Sequence, residues 1–336
     1  MDIKDVLIQL SNSSSVGYIN ETDDLLEKML SDYCSVSYTA GGSLLAQMNF
    51  GKEKTLLIDA HIDEIGFTVT HVSENGFLKV APVGGIDSRI LPGQPVKIWG
   101  NRVVKGVFGS VPPHLSGGEE TAVGIDELYI DSCISNGAES NIPVGTLVTF
   151  DSPAVNLRND FVAGKSLDNR ASVAALYKTA ELLQGKNARF NVCFLLSRQE
   201  EVGNRGAFIS AFEISPDECI TVDTTFGNCH GIPETQTGKL SHGPMIGISP
   251  VLSKSVTEGL IKSAELISSD IQYEVMSGKT GTNADVISVS KSGIPTGLIS
   301  IPIRNMHTPT EIVSISDIET TAQVLVSYII SGGGAE

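Results

Sequence analysis

The sequence predicts an α/β fold that carries an inserted small β-barrel domain. Toward both ends of the chain, segments with helical spacing of apolar residues alternate with short apolar runs typical of buried strands. Between about 67 and 150 the strands are short and alternating, Gly and Pro are frequent, and helical patterns are few. Several apolar runs lead into His, Asp or Glu, as expected where the strands of an open sheet reach a ligand site.

Composition limits the classes of function. The 336 residues are 41% hydrophobic and 18% charged, which allows a packed core in one large domain or two. A formal charge of −16 disfavours nucleic acid and anionic membranes as partners, because both require basic patches. The 5 cysteines lack paired spacing and favour a reduced, cytoplasmic setting. The N-terminus lacks a signal-peptide pattern, and no apolar run is long enough to cross a membrane.

The N-terminal part of the chain predicts helices within residues 1–33, a short strand at 43–49 and an apolar strand at 55–59. That second strand leads into His61 and Asp63, which can share one face because side chains two apart in an extended segment do so. A carboxylate close to the ring of a His is typical of metal sites. A surface His beside an acidic turn has the same local pattern, so the pair alone leaves both interpretations open.

The change in strand pattern predicts where the domains divide. Residues 67–161 are assigned to the inserted β-barrel domain, and residues 1–66 together with 162–336 to the α/β domain. Two histidines of the insert, His71 and His114, are expected to be structural or surface residues because neither follows a buried strand.

After the insert, residues 171–183 predict a helix with Asp168 at its start. A helix N-cap explains an Asp at this place, and a carboxylate that bridges two metal ions is the alternative. The next apolar strand ends near Leu196 and is followed by Glu200 and Glu201. For a Glu pair alone, a solvated acidic turn is the simpler explanation, but two carboxylates at a strand end can also divide metal binding and proton transfer between them.

The C-terminal part continues the alternation. A strand at 219–222 ends at Asp223, and a strand at 295–302 leads to His307. Further helices are predicted at 207–212, 255–268 and 316–330. The loop at 277–285 lacks the GxxxxGK[ST] order, so it is not predicted to bind phosphate. The two remaining histidines, His230 and His242, are expected to be surface or lid residues.

Together, the residues near strand ends are of the types that a two-metal hydrolase needs: His61, Asp168, Glu200, Glu201, Asp223 and His307. Two ions roughly 3.5–4 Å apart need a bridging carboxylate and one or two further ligands each. His and carboxylate ligands suit zinc, cobalt or manganese. If the Glu pair is extended, its side chains face opposite ways, so one can bind metal while its neighbour faces the substrate.

These motifs resemble those of the M42 family of metallo-aminopeptidases, also called glutamyl or tetrahedral (TET) aminopeptidases. The matching segments occur in the family's order along the whole chain: Asp59–Gly66, Ser166–Arg170, Gln199–Gly203, Val222–Asp223 and His307–Glu311. The chain departs from the family at Asn169 and Asn283, where Asp is frequent, and at Asn305, where Tyr is frequent. No departure removes a predicted ligand.

The resemblance implies a phosphorylase/hydrolase-like α/β catalytic domain with two divalent metal ions, zinc first and cobalt or manganese as alternatives. Asp168 would bridge the ions, and the two sites would be completed by these pairs: His61 with Asp223, and Glu201 with His307. Glu200 would be the general base, and Asp63 would support His61. The resemblance further implies a homododecamer whose sites face an internal chamber, with the β-barrel domain serving oligomerisation or as a lid.

The predicted reaction is removal of the N-terminal residue of small peptides by a metal-activated water. Metal coordination lowers the pKa of water from roughly 15.7 to about 7, and Glu200 would accept the proton. A two-metal deacylase or carboxypeptidase would use the same chemistry without requiring a free N-terminus. A glycoside hydrolase would need two carboxyl groups but no metal ligands. A non-catalytic binding or assembly protein is the remaining alternative, and the preferred N-terminal residue is not predicted.

Overall fold

The computed structural model describes residues 1–111, 114, 123–134 and 137–333. It confirms the predicted fold class: a mixed α/β sheet with helices on both faces carries a closed antiparallel β-barrel. Within the described ranges, no helix is long and apolar enough to cross a membrane.

The strands, in chain order, are β1 (Ser35–Tyr38), β2 (Leu44–Met48), β3 (Thr55–His61), β4 (Gly66–Val72), β5 (Phe77–Val83), β6 (Pro95–Trp99), β7 (Val103–Gly109), β8 (Tyr129–Asp131), β9 (Leu147–Phe150), β10 (Val155–Asn156), β11 (Phe161–Gly164), β12 (Asn191–Ser197), β13 (Glu218–Phe226), β14 (Met245–Ile248), β15 (Gln272–Val275), β16 (Thr296–Arg304) and β17 (Glu311–Ser314). The helices are α1 (Ile3–Asn12), α2 (Glu21–Leu30), α3 (Ala138–Asn141), α4 (Leu167–Leu182), α5 (Arg205–Ile214), α6 (Lys254–Leu266), α7 (Ala284–Ile287) and α8 (Ile315–Ser331).

The centre of the main sheet consists of parallel strands in the order β12-β3-β13-β16. The register places Ser197, the last residue of β12, beside His61, the last residue of β3. On β13, Asp223 pairs with Ser300 of β16. Because the strands are parallel, the segments that follow them begin at the same edge of the sheet, which is where open α/β sheets bind their ligands.

Alternate residues of the central strands pack against different helices. In β3, Leu56 and Ile58 belong to the large core that includes Leu176 of α4, whereas Leu57 belongs to a smaller core with Ala207 of α5. This is the period of two that a strand imposes when both of its faces are covered. The helices therefore pack against both faces of the central strands and hold the residues at the strand ends in position.

The barrel is closed in the order β4-β5-β8-β7-β6-β9 and contains its own core. Phe67 lies at the centre of this core, with ring centroids 4.9 Å from Phe108 and 5.4 Å from Phe150. The segment that ends β3 runs directly into β4, so the barrel begins only a few residues after His61. Strands β10 and β11 pair with the main sheet through β17, and the exact division between the two domains stays a prediction.

Strand β13 is longer than predicted. The sequence pattern ended it at Val222, but β13 continues to Phe226 because Thr224 and Thr225 keep pairing with β16. Both residues are β-branched and suit a pleated, buried surface. Asp223 consequently lies inside the strand rather than at its end, where it pairs with Ser300 of β16.

Candidate metal centre

Side chains from separate parts of the chain meet at the carboxyl edge of the central strands. They form two groups whose potential ligand atoms lie within 4.8 Å of one another: His61, Asp168 and Asp223, and Asp168, Glu201 and His307. These are the five residues that the sequence predicted as ligands. The described residues thus bring together the whole predicted set, while His71, His114, His230 and His242 are exposed and lie outside both groups.

Asp168 belongs to both groups. Its Oδ1 lies 3.3 Å from Nε2 of His61, and its Oδ2 lies 3.4 Å from Nε2 of His307. The residue stands at the start of α4 with non-helical backbone angles, and a cis peptide bond joins it to Asn169. Each carboxylate oxygen therefore faces a different imidazole, which is the arrangement of a carboxylate that bridges two ions.

The second carboxylate of each group lies at a similar distance from the histidine of that group. Nε2 of His61 lies 3.7 Å from Oδ1 of Asp223, and Nε2 of His307 lies 3.3 Å from Oε1 of Glu201. Two donor atoms, each about 2.1 Å from a tetrahedral zinc ion, are about 3.4 Å apart. The donor types and their spacing therefore fit two divalent ions, one in each group.

Both imidazoles are oriented through their other ring nitrogen. Nδ1 of His61 lies 3.2 Å from the backbone oxygen of Asp63 and 3.5 Å from its carboxylate, as the shared face of the two residues predicted. Nδ1 of His307 lies 2.8 Å from the backbone oxygen of Gly85. An acceptor at Nδ1 favours the tautomer whose Nε2 has a free lone pair, so both rings present a ligand atom to the centre.

Two further carboxylates hold the backbone of the site. Asp63 accepts the backbone N–H groups of Glu200 at 3.0 Å and Glu201 at 3.1 Å. Glu311, which is only 2% exposed, accepts the backbone N–H groups of Asp168 at 2.9 Å and His307 at 2.8 Å. Each carboxylate thereby fixes two residues of the cluster at once.

The cluster concentrates negative charge in a space with little water. Burial raises the pKa of Glu200 to about 7 and raises the pKa of Asp223 well above its ordinary value. Hydrogen bonds to Asp168 and Glu201 raise the pKa of His307 to about 11. Carboxylates this crowded favour any cation within reach, and divalent ions would take the place of the protons on the imidazoles.

The sequence did not identify Gly85 or Glu311 as contributors to the site. A Cβ atom at Gly85 would lie 3.1 Å from Nδ1 of His307, so the absence of a side chain allows the barrel backbone to approach the ring. The Gly84-Gly85 pair after a strand was the only local signal, and it also fits an ordinary turn. Glu311 belongs to the segment His307–Glu311 noted in the sequence, but no role was predicted for it.

Comparisons with known proteins match most of the chain. The model of the M42 glutamyl aminopeptidase family matches residues 42–324. The lysyl aminopeptidase of Pyrococcus furiosus is 28% identical over 312 residues, which cover 90% of this chain and 88% of that protein. An aminopeptidase structure from the archaeon Desulfurococcus kamchatkensis superposes with a TM-score of 0.91 at 28% identity, covering 98% and 94% of the two chains. The structure of PhTET1-12s, a dodecamer, gives a TM-score of 0.86 at 25% identity, with 98% and 99% coverage.

Proposed function

Because the chain belongs to the M42 glutamyl aminopeptidase family, we propose that it removes the N-terminal residue of peptides with two divalent metal ions and Glu200 as general base. The observation that carries this proposal is the carboxylate of Asp168, which has one oxygen toward each of two separate His-carboxylate groups. Such a shared carboxylate is required by a two-metal centre and has no evident purpose in a protein that only binds or assembles.

The proposed ligands are those that the sequence predicted: Asp168 for both ions, His61 and Asp223 for one, and Glu201 and His307 for the other. Their nitrogen and carboxylate donors suit zinc, with cobalt or manganese as alternatives. When bound, the ions supply Lewis acidity that lowers the pKa of water toward about 7 and stabilises negative charge on a carbonyl oxygen.

Glu200 has a different environment from Glu201. Glu201 faces His307, whereas Glu200 accepts a hydrogen bond of 2.9 Å from Nδ2 of Asn204 and belongs to neither ligand group. A carboxylate that sits beside the ions without binding them is free to accept a proton from water and to return it to the leaving amine. Burial raises the pKa of Glu200, and this supports a role in which its carboxyl group is protonated during part of the reaction.

A substrate pair tests the proposal against a deacylase or carboxypeptidase. An aminopeptidase should hydrolyse an aminoacyl anilide and should be inactive on the same compound with an acetylated α-amine. Comparable rates on both compounds would contradict the requirement for a free N-terminus. Cleavage of a glycoside that survives prolonged chelation would instead favour the glycoside hydrolase alternative, which uses two carboxyl groups without metal.

We also propose that copies of this chain assemble with one another. PhTET1-12s, with a closely similar fold, is a dodecamer, and this supports a homododecamer here, with the β-barrel domain at residues 67–161 serving oligomerisation or as a lid. The cytoplasmic location expected from the sequence stays a prediction. The mass of the assembly, measured by light scattering, tests the oligomer directly.

Glu311→Gln should weaken metal binding about 10- to 100-fold. A carboxamide offers one acceptor oxygen, so the backbone N–H of either Asp168 or His307 would face an NH₂ group and lose its partner. His307, with a φ of 59°, depends on this contact to keep an uncommon backbone conformation. Chelator competition measures the affinity, and Glu319→Gln on the exposed face of α8 is the matched control. Unchanged affinity in Glu311→Gln would contradict the role.

A further inference from the structure

We propose that two asparagine side chains, Asn204 and Asn283, form an amide pair that orients the carboxylate of Glu200 and leaves its Oε2 to accept the proton. Nδ2 of Asn204 donates to Oε1 of Glu200 at 2.9 Å and to Oδ1 of Asn283 at 3.1 Å. The inference rests on the proposed function, since it concerns how the general base is positioned. Both asparagines are positioning residues, because they act through Glu200.

The far end of the amide pair is anchored in the sheet. Nδ2 of Asn283 donates to Oδ2 of Asp59 and to Oγ of Ser197, both at 2.9 Å. Asp59 lies in β3 and Ser197 ends β12, so the pair connects Glu200 to two of the central strands. Asn283 is 1% exposed and Asp59 is fully buried, which makes each of these contacts costly to lose.

The contact of Asn283 with Asp59 also determines which atom is the donor in each hydrogen bond of the amide pair. A carboxylate at Asp59 accepts from Asn283, so the NH₂ group of Asn283 points toward it and its carbonyl points toward Asn204. The NH₂ group of Asn204 then lies between two acceptors, the carbonyl of Asn283 and Oε1 of Glu200. Rotating either amide by half a turn would place oxygen against oxygen. Oε1 of Glu200 therefore always meets a donor.

Helix capping does not explain these asparagines. Asn204 precedes α5 and Asn283 precedes α7, the position where an Asn side chain commonly accepts a helix N–H. Neither side chain makes such a cap bond. Their polar atoms are instead directed at each other and at the carboxylates of Glu200 and Asp59.

The hydrogen bond from Asn204 determines which oxygen of Glu200 transfers the proton. With Oε1 of Glu200 held by the amide of Asn204, Oε2 is the oxygen that can take a proton from water, and the same oxygen returns it to the leaving amine. A carboxylate held in one rotamer can do this without reorganising in each turnover. The same contact keeps Glu200 from turning to become an additional metal ligand.

The test uses Asn204→Gly in the full-length protein. Asn204 has a φ of 58°, which glycine adopts without strain, so the change removes the amide and preserves the backbone. The matched control is Asn159→Gly, an exposed asparagine with a φ of 59° in the turn between β10 and β11. Asn204→Asp is the second variant, since Asp also tolerates this conformation and replaces the donor by an oxygen that faces Oε1 of Glu200.

We expect Asn204→Gly to lower kcat about 10- to 100-fold on an aminoacyl anilide, with KM within about twofold and metal content unchanged. Asn204→Asp should lose more, and Asn159→Gly should match the wild type. Crystal structures provide a readout independent of turnover: the Glu200 carboxylate should keep its rotamer in the wild type and leave it in Asn204→Gly.

Three kinetic results would overturn the inference: a kcat of Asn204→Gly within twofold of the wild type, a loss that appears only in KM, or a loss that added metal restores. The proposed function fails in a different way, either because the wild type does not cleave free-amine substrates or because Glu200→Gln remains active. An unchanged Glu200 rotamer in the Asn204→Gly crystal structure contradicts the inference whatever the activity.

Discussion

Replacing Glu200 by Gln should lower kcat by about 10²- to 10⁴-fold while the protein keeps both metal ions. The carboxamide has nearly the same shape and can still accept the hydrogen bond from Asn204, but it cannot take a proton from water. Among the described residues, neither candidate ligand group contains Glu200, so the substitution should leave each ion with all of its proposed ligands. Turnover on an aminoacyl anilide and metal content by mass spectrometry are measured on the same sample.

The control for this change is Glu258→Gln, a substitution of the same type at an exposed position on α6. It should leave both kcat and metal content unchanged. Wild-type turnover in Glu200→Gln would refute the assignment of the general base. Loss of both ions in that variant would instead place Glu200 among the ligands.

The second large effect is expected at Asp168. Asp168→Asn should weaken the binding of both ions rather than one, because the amide is uncharged and its single acceptor oxygen can face only one of the two His-carboxylate groups. An amide NH₂ group at either oxygen position would point a donor at the ion. The ions would stabilise the charge of the transition state by several kcal/mol, so their loss should decrease kcat on the order of 10³-fold or more.

Asp223→Asn is the matched variant, because it should affect one of the two ions only. Asp223 belongs only to the group with His61, so its amide variant should retain the ion between Glu201 and His307. Metal content after dialysis should therefore fall further in Asp168→Asn than in Asp223→Asn. Equal metal content in the two variants would show that Asp168 is not shared between the ions.

The candidate ligands could be grouped from the sequence because each one lies at or near the end of an apolar strand or at the start of a helix. His61 ends β3, and Glu201 and His307 follow β12 and β16 within a few residues. A parallel sheet gathers its carboxyl ends along one edge, so local patterns sufficed to place these side chains together. Asp223 was found by the same reasoning although β13 continues past it, because pairing with β16 extends that strand.

The supporting contacts could not be predicted, because they join residues that are far apart in the chain. Gly85 reaches His307 across 222 positions, and Asn283 reaches Asp59 across 224. Nothing in the local sequence distinguishes Asn204 or Asn283 from helix caps, since both precede helices. Only the arrangement of the barrel, the loop before α7 and the central strands shows which polar groups meet.

Two ions are expected on either side of Asp168, with Glu200 bound to neither. Crystals grown with zinc, measured at the zinc absorption edge, test this arrangement most directly by anomalous scattering. We expect two peaks roughly 3.5–4 Å apart with Asp168 between them, one contacted by His61 and Asp223 and the other by Glu201 and His307. A single peak, or a carboxylate of Glu200 bound to either ion, would contradict it.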